Sequence, residues 1–127
     1  MGADKLITSR RLLVVDDLEQ IASLIQEVFT NLGAQVEAAQ SARQAMRLLQ
    51  TSSYDVVILD LVMPEMDGWD VLRFMERVCP ELVSRTILLT GDRHHHATLR
   101  SLDGTDMPVL FKPFDLIELR QIVGRVL

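Results

Sequence analysis

Five polar residues of this 127-residue chain stand where chemistry could be done: Asp16, Asp17, Asp60, Thr90 and Lys112. Each follows an apolar run: Leu12 to Val15, Val56 to Leu59, Ile87 to Leu89, and Val109 to Phe111. Such runs are expected of strands buried on both faces of a parallel sheet, so the polar groups fall at the carboxyl ends of strands. Ligands of open α/β sheets bind at those ends. Three carboxylates gathered there repel one another and raise their own proton affinity unless a cation intervenes. An all-oxygen site with room for water suits Mg2+, or Mn2+. Lys112 adds a compact positive charge and Thr90 a hydroxyl donor, both able to meet phosphoryl oxygens. With the incoming charge shared in this way, a carboxylate can attack phosphorus and become an aspartyl phosphate. Asp60 is the candidate, because it ends the middle strand of the inferred sheet.

The remaining elements must carry these groups. After the first strand, Ile21, Leu24, Ile25, Val28, Phe29 and Leu32 fall at helical spacing, with Gly33 as a stop and Asp17 placed to cap the helix. Gln35 to Ala39 reads as a second strand, and Ser41 as the cap of a helix through Ala42, Ala45, Met46, Leu48 and Leu49. The third strand runs from Tyr54 to Asp60. Met63-Pro64 then delays the next helix, Asp67-Gly68 supplies a turn, and Val71, Leu72, Phe74, Met75 and Val78 form a helical face from Trp69 to Cys79-Pro80. Strand four covers Thr86 to Leu89 and ends at Thr90-Gly91. His95 to Leu102 is a poor helix, Pro108 to Phe111 is a short fifth strand ending at Lys112-Pro113, and Asp115 caps a last helix to Val126. Alternating strands and helices joined by short loops imply one doubly wound α/β domain.

Composition narrows the function. A net charge of -5 opposes direct contact with nucleic acid, which needs a clustered basic face. No apolar run approaches the roughly 20 residues of a membrane span. Cys79 is the single cysteine, so no disulfide framework exists and a reducing, cytoplasmic location is expected. His94-His95-His96 is not a metal site, since adjacent side chains point apart. Met46 and Met75 read as core; Met66 and Trp69 read as partner contacts or partial core.

The set VVDD, VILDLVMPEMDG, LLTG and FKPF resembles the receiver domain of two-component response regulators over nearly the whole chain, residues 11–127, with 1–10 as an N-terminal extension. The resemblance implies a flavodoxin-like sheet of strand order 2-1-3-4-5. It implies that Asp60 accepts a phosphoryl group from a phosphohistidine on a histidine kinase or histidine phosphotransfer protein. Asp16, Asp17, Asp60 and the backbone carbonyl of Val62 would hold Mg2+, Thr90 and Lys112 would hold the phosphoryl group, and Pro64, Gly68, Gly91 and Pro113 would shape the loops. The protein would act as a switch rather than a conventional enzyme, its output passing to an effector protein or a parent-chain domain, with homodimerisation left open. Two other readings of the same residues are a degenerate receiver acting as a phosphorylation-independent interaction module, and an aspartate-nucleophile phosphatase of the haloacid dehalogenase kind. The latter wants an acid two residues after the nucleophile, where Val62 stands. Val62 is expected to slow dephosphorylation relative to a polar residue. Many receivers also carry an aromatic residue three positions before the strand-five lysine; Val109 occupies that place.

Overall fold

The computed structural model describes residues 6–91 and 107–127. In them the chain forms β1 (Arg11–Val15), α1 (Glu19–Asn31), β2 (Gln35–Ala39), α2 (Ala42–Thr51), β3 (Val56–Asp60), α3 (Gly68–Val78), the single turn α4 (Pro80–Val83), β4 (Thr86–Thr90), β5 (Val109–Phe111) and α5 (Leu116–Val126). The strands make one parallel sheet in the order β2-β1-β3-β4-β5, which is the flavodoxin-like order. β3 is the middle strand, and all five of its residues are buried.

Alternation along the strands divides the core into two layers. Leu13, Val15, Val57, Leu59 and Leu88 face α2 and α3, meeting Ala45, Leu49, Val71, Leu72 and Met75. Leu12, Val14, Val56, Ile58, Ile87 and Leu89 face α1 and α5, meeting Ala22, Ile25, Phe29, Leu119 and Val123. Small residues on α2 let it lie close to the sheet, while branched aliphatics fill the layer under α1 and α5. Ile7, ahead of β1, is fully buried in the second layer, and Thr8 Oγ1 donates to Leu32 O.

Helix ends follow their local chemistry. Ser41 Oγ accepts from Gln44 N–H at 3.1 Å and starts α2. α1 closes with Gly33 at φ +92°, its N–H donating to Thr30 O while Ala34 N–H donates to Phe29 O. These two bonds form a Schellman motif, which satisfies carbonyls that the helix end would otherwise leave open. Asp115 Oδ1 accepts from Ile117 N–H and starts α5.

Several sequence expectations need correction. Asp17 does not cap α1: the N-cap position is Leu18, whose N–H donates instead to Asp16 Oδ1. The third strand begins at Val56, because Asp55 turns its carboxylate back to accept Arg11 N–H at 2.9 Å and Tyr54 donates its hydroxyl to Glu37 Oε1 at 3.0 Å. A further helical turn, α4, begins at Pro80, whose fixed φ suits a first helical position. Leu24 and Val78, both placed on apolar faces by spacing, are about half exposed. Met75 is core as expected, and Met46, Met66 and Trp69 are partly buried against the α2–α3 layer. The segment His95 to Leu102 and the run His94-His95-His96 lie outside the described residues.

Neighbouring residues of α1 provide a test of the layering. Ile25 is fully buried and Leu24 is 49% exposed. Ile25→Ala is expected to lower unfolding free energy by about 2–5 kcal/mol through lost burial and a residual cavity, and Leu24→Ala by less than about 1 kcal/mol, in urea denaturation of the two variants. Equal losses would contradict the assignment of faces.

Candidate functional site

The carboxyl ends of β1, β3, β4 and β5 bring the sequence-predicted groups together. Asp16 follows β1, its N–H held by Ala39 O, and its side chain is fully buried. Asp60 ends β3 at 2% exposure. Carboxylate oxygens of Asp16, Asp17 and Asp60 all lie within 4.8 Å of one another. Lys112 Nζ reaches between two of them, at 2.9 Å from Asp16 Oδ2 and 3.3 Å from Asp60 Oδ2. The remaining oxygens accept backbone N–H groups, Asp16 Oδ1 from Leu18 and Asp60 Oδ1 from Val62 at 3.2 Å.

Thr90 is fully buried one residue beyond Leu89, the register partner of Asp60. Its carbonyl accepts Lys112 N–H at 2.8 Å, which fixes the lysine backbone beside the end of β4. A cis peptide joins Lys112 to Pro113. Val109 is paired in register with Leu88 and packs against the α2–α3 layer, so an aliphatic side chain fills the place of the aromatic.

The loop from β3 to α3 has no room for variation at its end. A Cβ on Gly68 would stand 2.3 Å from Asp60 O and 2.7 Å from Leu61 Cα, so the first turn of α3 rests directly on the backbone that carries Asp60. Gly68 N–H also donates to Leu61 O at 3.0 Å. Asp67 and Asp70 hold that turn in a capping box, each carboxylate accepting the other's N–H. Spacing had marked Asp67-Gly68 only as a turn; an acid at both ends of a D-x-x-D stretch was the available signal for the box. Glu65, after the exposed Pro64, has φ +66°, a left-handed conformation at the tip of the loop. Gly91 has no such steric reason among the described residues, since a Cβ there would meet nothing within 4 Å. Val62 is 53% exposed at the site's edge.

The electrostatics follow from burial. Removal from water, then the charge of Asp16, push the Asp60 carboxyl up from 3.8 to about 6, against the opposing pull of Lys112. Burial draws the Lys112 ammonium down, but its hydrogen bond to Asp16 and the charges of Asp60 and Asp16 together leave it raised. Lys112 therefore stays cationic at neutral pH, while Asp60 is a weakly compensated anion. Hard oxygen donors at this spacing fit a small divalent cation better than a soft metal, which would want sulfur or imidazole. By contrast the Cys79 thiol is pushed up by burial and by Glu81, as for a structural cysteine.

A stability measurement checks the sign of this balance. The unfolded carboxyl titrates near about pH 4 and the folded one about two units higher, so between those values the native state holds more protons and stability falls as pH rises. In chelator at pH 7.5, Asp60→Asn is expected to be more stable than the parent, by up to ~3 kcal/mol at about 1.4 kcal/mol per unit. The gain should vanish towards pH 4. A variant less stable at pH 7.5 would mean that Lys112 outweighs the cost of burial.

Comparison with known proteins agrees with this geometry. Residues 12–124 match the response regulator receiver domain family. Regulatory protein AtoC of Escherichia coli is 33% identical over 117 residues, covering 92% of this chain and 25% of that protein. Response regulator SaeR of Staphylococcus epidermidis is 34% identical over 108 residues, 85% of this chain and 46% of that protein. The chain thus spans between a quarter and a half of these relatives. Among solved structures, the response regulator TrrA of Thermotoga maritima in complex with Mg2+-BeF superposes with a TM-score of 0.79 at 30% identity, over 93% of this chain and 99% of that one. The receiver domain of a signal transduction histidine kinase from Syntrophus aciditrophicus gives 0.80 at 31% identity, over 93% and 89%. With the strand order, the acidic cluster and the lysine at the end of β5 in place, the chain belongs to the response regulator receiver domains of two-component signalling.

Proposed function

We propose that this receiver accepts a phosphoryl group on Asp60 from the phosphohistidine of a histidine kinase or a histidine phosphotransfer protein. The observation that carries the reading is the convergence of three carboxylates and Lys112 at one end of the sheet. A carboxylate oxygen of Asp60 forms the new O–P bond while the P–N bond breaks and the imidazole leaves with the bonding pair. Asp16, Asp17, Asp60 and the Val62 carbonyl would hold Mg2+, which supplies Lewis-acid neutralisation of phosphoryl charge. Lys112 pairs with a phosphoryl oxygen, exchanging a carboxylate partner for a phosphate one, and the Thr90 hydroxyl donates to another. Gly68 and the capping box keep the Asp60 backbone fixed while this happens.

The modified Asp60 carries about two negative charges where there had been at most one, and Thr90 and Lys112 are drawn towards it. That redistribution biases a surface read by an effector protein or by another domain of a longer chain. With Val109 in place of an aromatic, any such shift is transmitted without rotation of a ring at that position.

Intact mass after incubation with acetyl phosphate and Mg2+ tests the proposal. One added phosphoryl group is expected, not gained when a chelator is present throughout and absent from Asp60→Asn. An unmodified parent chain, also unmodified by a phosphorylated kinase, would leave a phosphorylation-independent interaction module as the better reading. The exposed aliphatic Val62 bears on lifetime: a polar side chain there could hydrogen-bond an attacking water. Val62→Asn is expected to shorten the aspartyl-phosphate half-life several-fold, and an unchanged half-life would show that this side chain does not govern water's approach.

A further inference from the structure

Two arginines of α2 sit where helix electrostatics disfavours them. Arg43 is the second residue of the helix, in a first turn that contains no acid, at the positive end of the macrodipole. Arg47 follows one turn later, and like charges four residues apart on a helix repel. Four other arginines find partners, Arg10 with Asp55, Arg11 with Glu37, Arg73 with Asp70, and Arg85 whose Nε donates to Asp55 O. Arg77 and Arg125, unpaired among the described residues, stand in the last turns of their helices, where the dipole favours a cation. Arg43 and Arg47 have no ion pair or hydrogen bond through their guanidinium groups among the described residues, and both are exposed. Between them runs a groove of about 400 Å³ along α2 and α3, floored by Met46 and Phe74 and closed by Gln50. Met46 and Phe74 are only partly buried.

We propose that this groove docks an acidic amphipathic segment of a partner protein. An apolar side chain of the segment rests on Met46 and Phe74, and carboxylates one helical turn apart pair with Arg43 and Arg47. Arginine forks match carboxylates in bidentate geometry, and an amphipathic helix presents its anchors at the spacing that a groove beside a helix can accept. Such a partner relieves the repulsion between the arginines and the conflict with the α2 dipole together. A duplex or a lipid surface is a poorer match, because two guanidinium groups form a small basic patch on a chain of net charge -5, and an extended polyanion would meet the acidic remainder. The docking is separate from the chemistry at Asp60 and stands or falls without it.

The test uses the full chain and a capped helical peptide of about 18 residues, long enough to hold a helix, bearing Leu anchors and Glu pairs at i and i+4. Fluorescence anisotropy is expected to show saturable binding that weakens with salt, and amide NMR shifts should centre on Arg43, Met46, Arg47 and Phe74. The double variant Arg43→Glu/Arg47→Glu should bind at least about tenfold more weakly and should instead accept a peptide with Lys in place of Glu. Both positions are exposed, and Arg43→Glu places an acid at the helix start, so thermal stability should hold or rise, separating lost binding from lost folding. Absence of saturable binding, shifts centred elsewhere, equal affinity for the Lys peptide, or tighter binding to duplex DNA or anionic vesicles than to the Glu peptide would each overturn the proposal.

Discussion

Two carboxylates buried side by side at the end of an aliphatic sheet are the constraint that the rest of this site answers. Asp16 and Asp60 lie where water is scarce, and charge buried there is costly unless it is paired and hydrogen-bonded. Lys112 comes from the far edge strand to stand between them, across 96 residues of sequence from one and 52 from the other. Its ammonium and the two backbone N–H groups leave neither acid without partners, yet Asp60 remains only partly compensated. The site is therefore receptive to additional positive charge, and that need is built into the parallel arrangement of the strands.

Parallel topology also explains why so much could be read from the chain. A strand buried on both faces announces itself as a solid apolar run, and a polar residue immediately after it is placed by the run's end. Asp16, Asp60, Thr90 and Lys112 were legible for that reason, and Ser41, Gly33 and Asp115 were legible because capping is local chemistry. The exposure of Leu24 and Val78 was not legible, because helical spacing gives a face but not its width against a particular neighbour. Nor was the turn of Asp16 towards Leu18, in which a buried acid of the cluster accepts the N–H of the residue at the N-cap position of α1. The start of β3 was not legible either, since Tyr54 and Asp55 directly precede the apolar run while their side chains answer Glu37 and the backbone of Arg11, residues distant in sequence.

Geometry added what residue types do not contain. Gly68 reads as turn chemistry in the sequence, but its importance lies in what it touches: the carbonyl of Asp60 itself. The close approach makes α3 part of the site's foundation, and the capping box of Asp67 and Asp70 supports the site through that contact although neither carboxylate belongs to the cluster of Asp16, Asp17 and Asp60.

The two-layer core has a consequence for how such a chain can vary in length. Neighbouring residues in β1 and β3 answer to different helices, Leu12 and Val56 to one layer, Leu13 and Val57 to the other. One residue inserted within β3 would exchange every side chain beyond it between layers and carry Asp60 off the mouth of the sheet. Both the packing and the carboxylate thus share a single reading frame of structure. A change of length is therefore compatible with the site only in the connections between elements, where it leaves both the layering and the place of Asp60 unaltered.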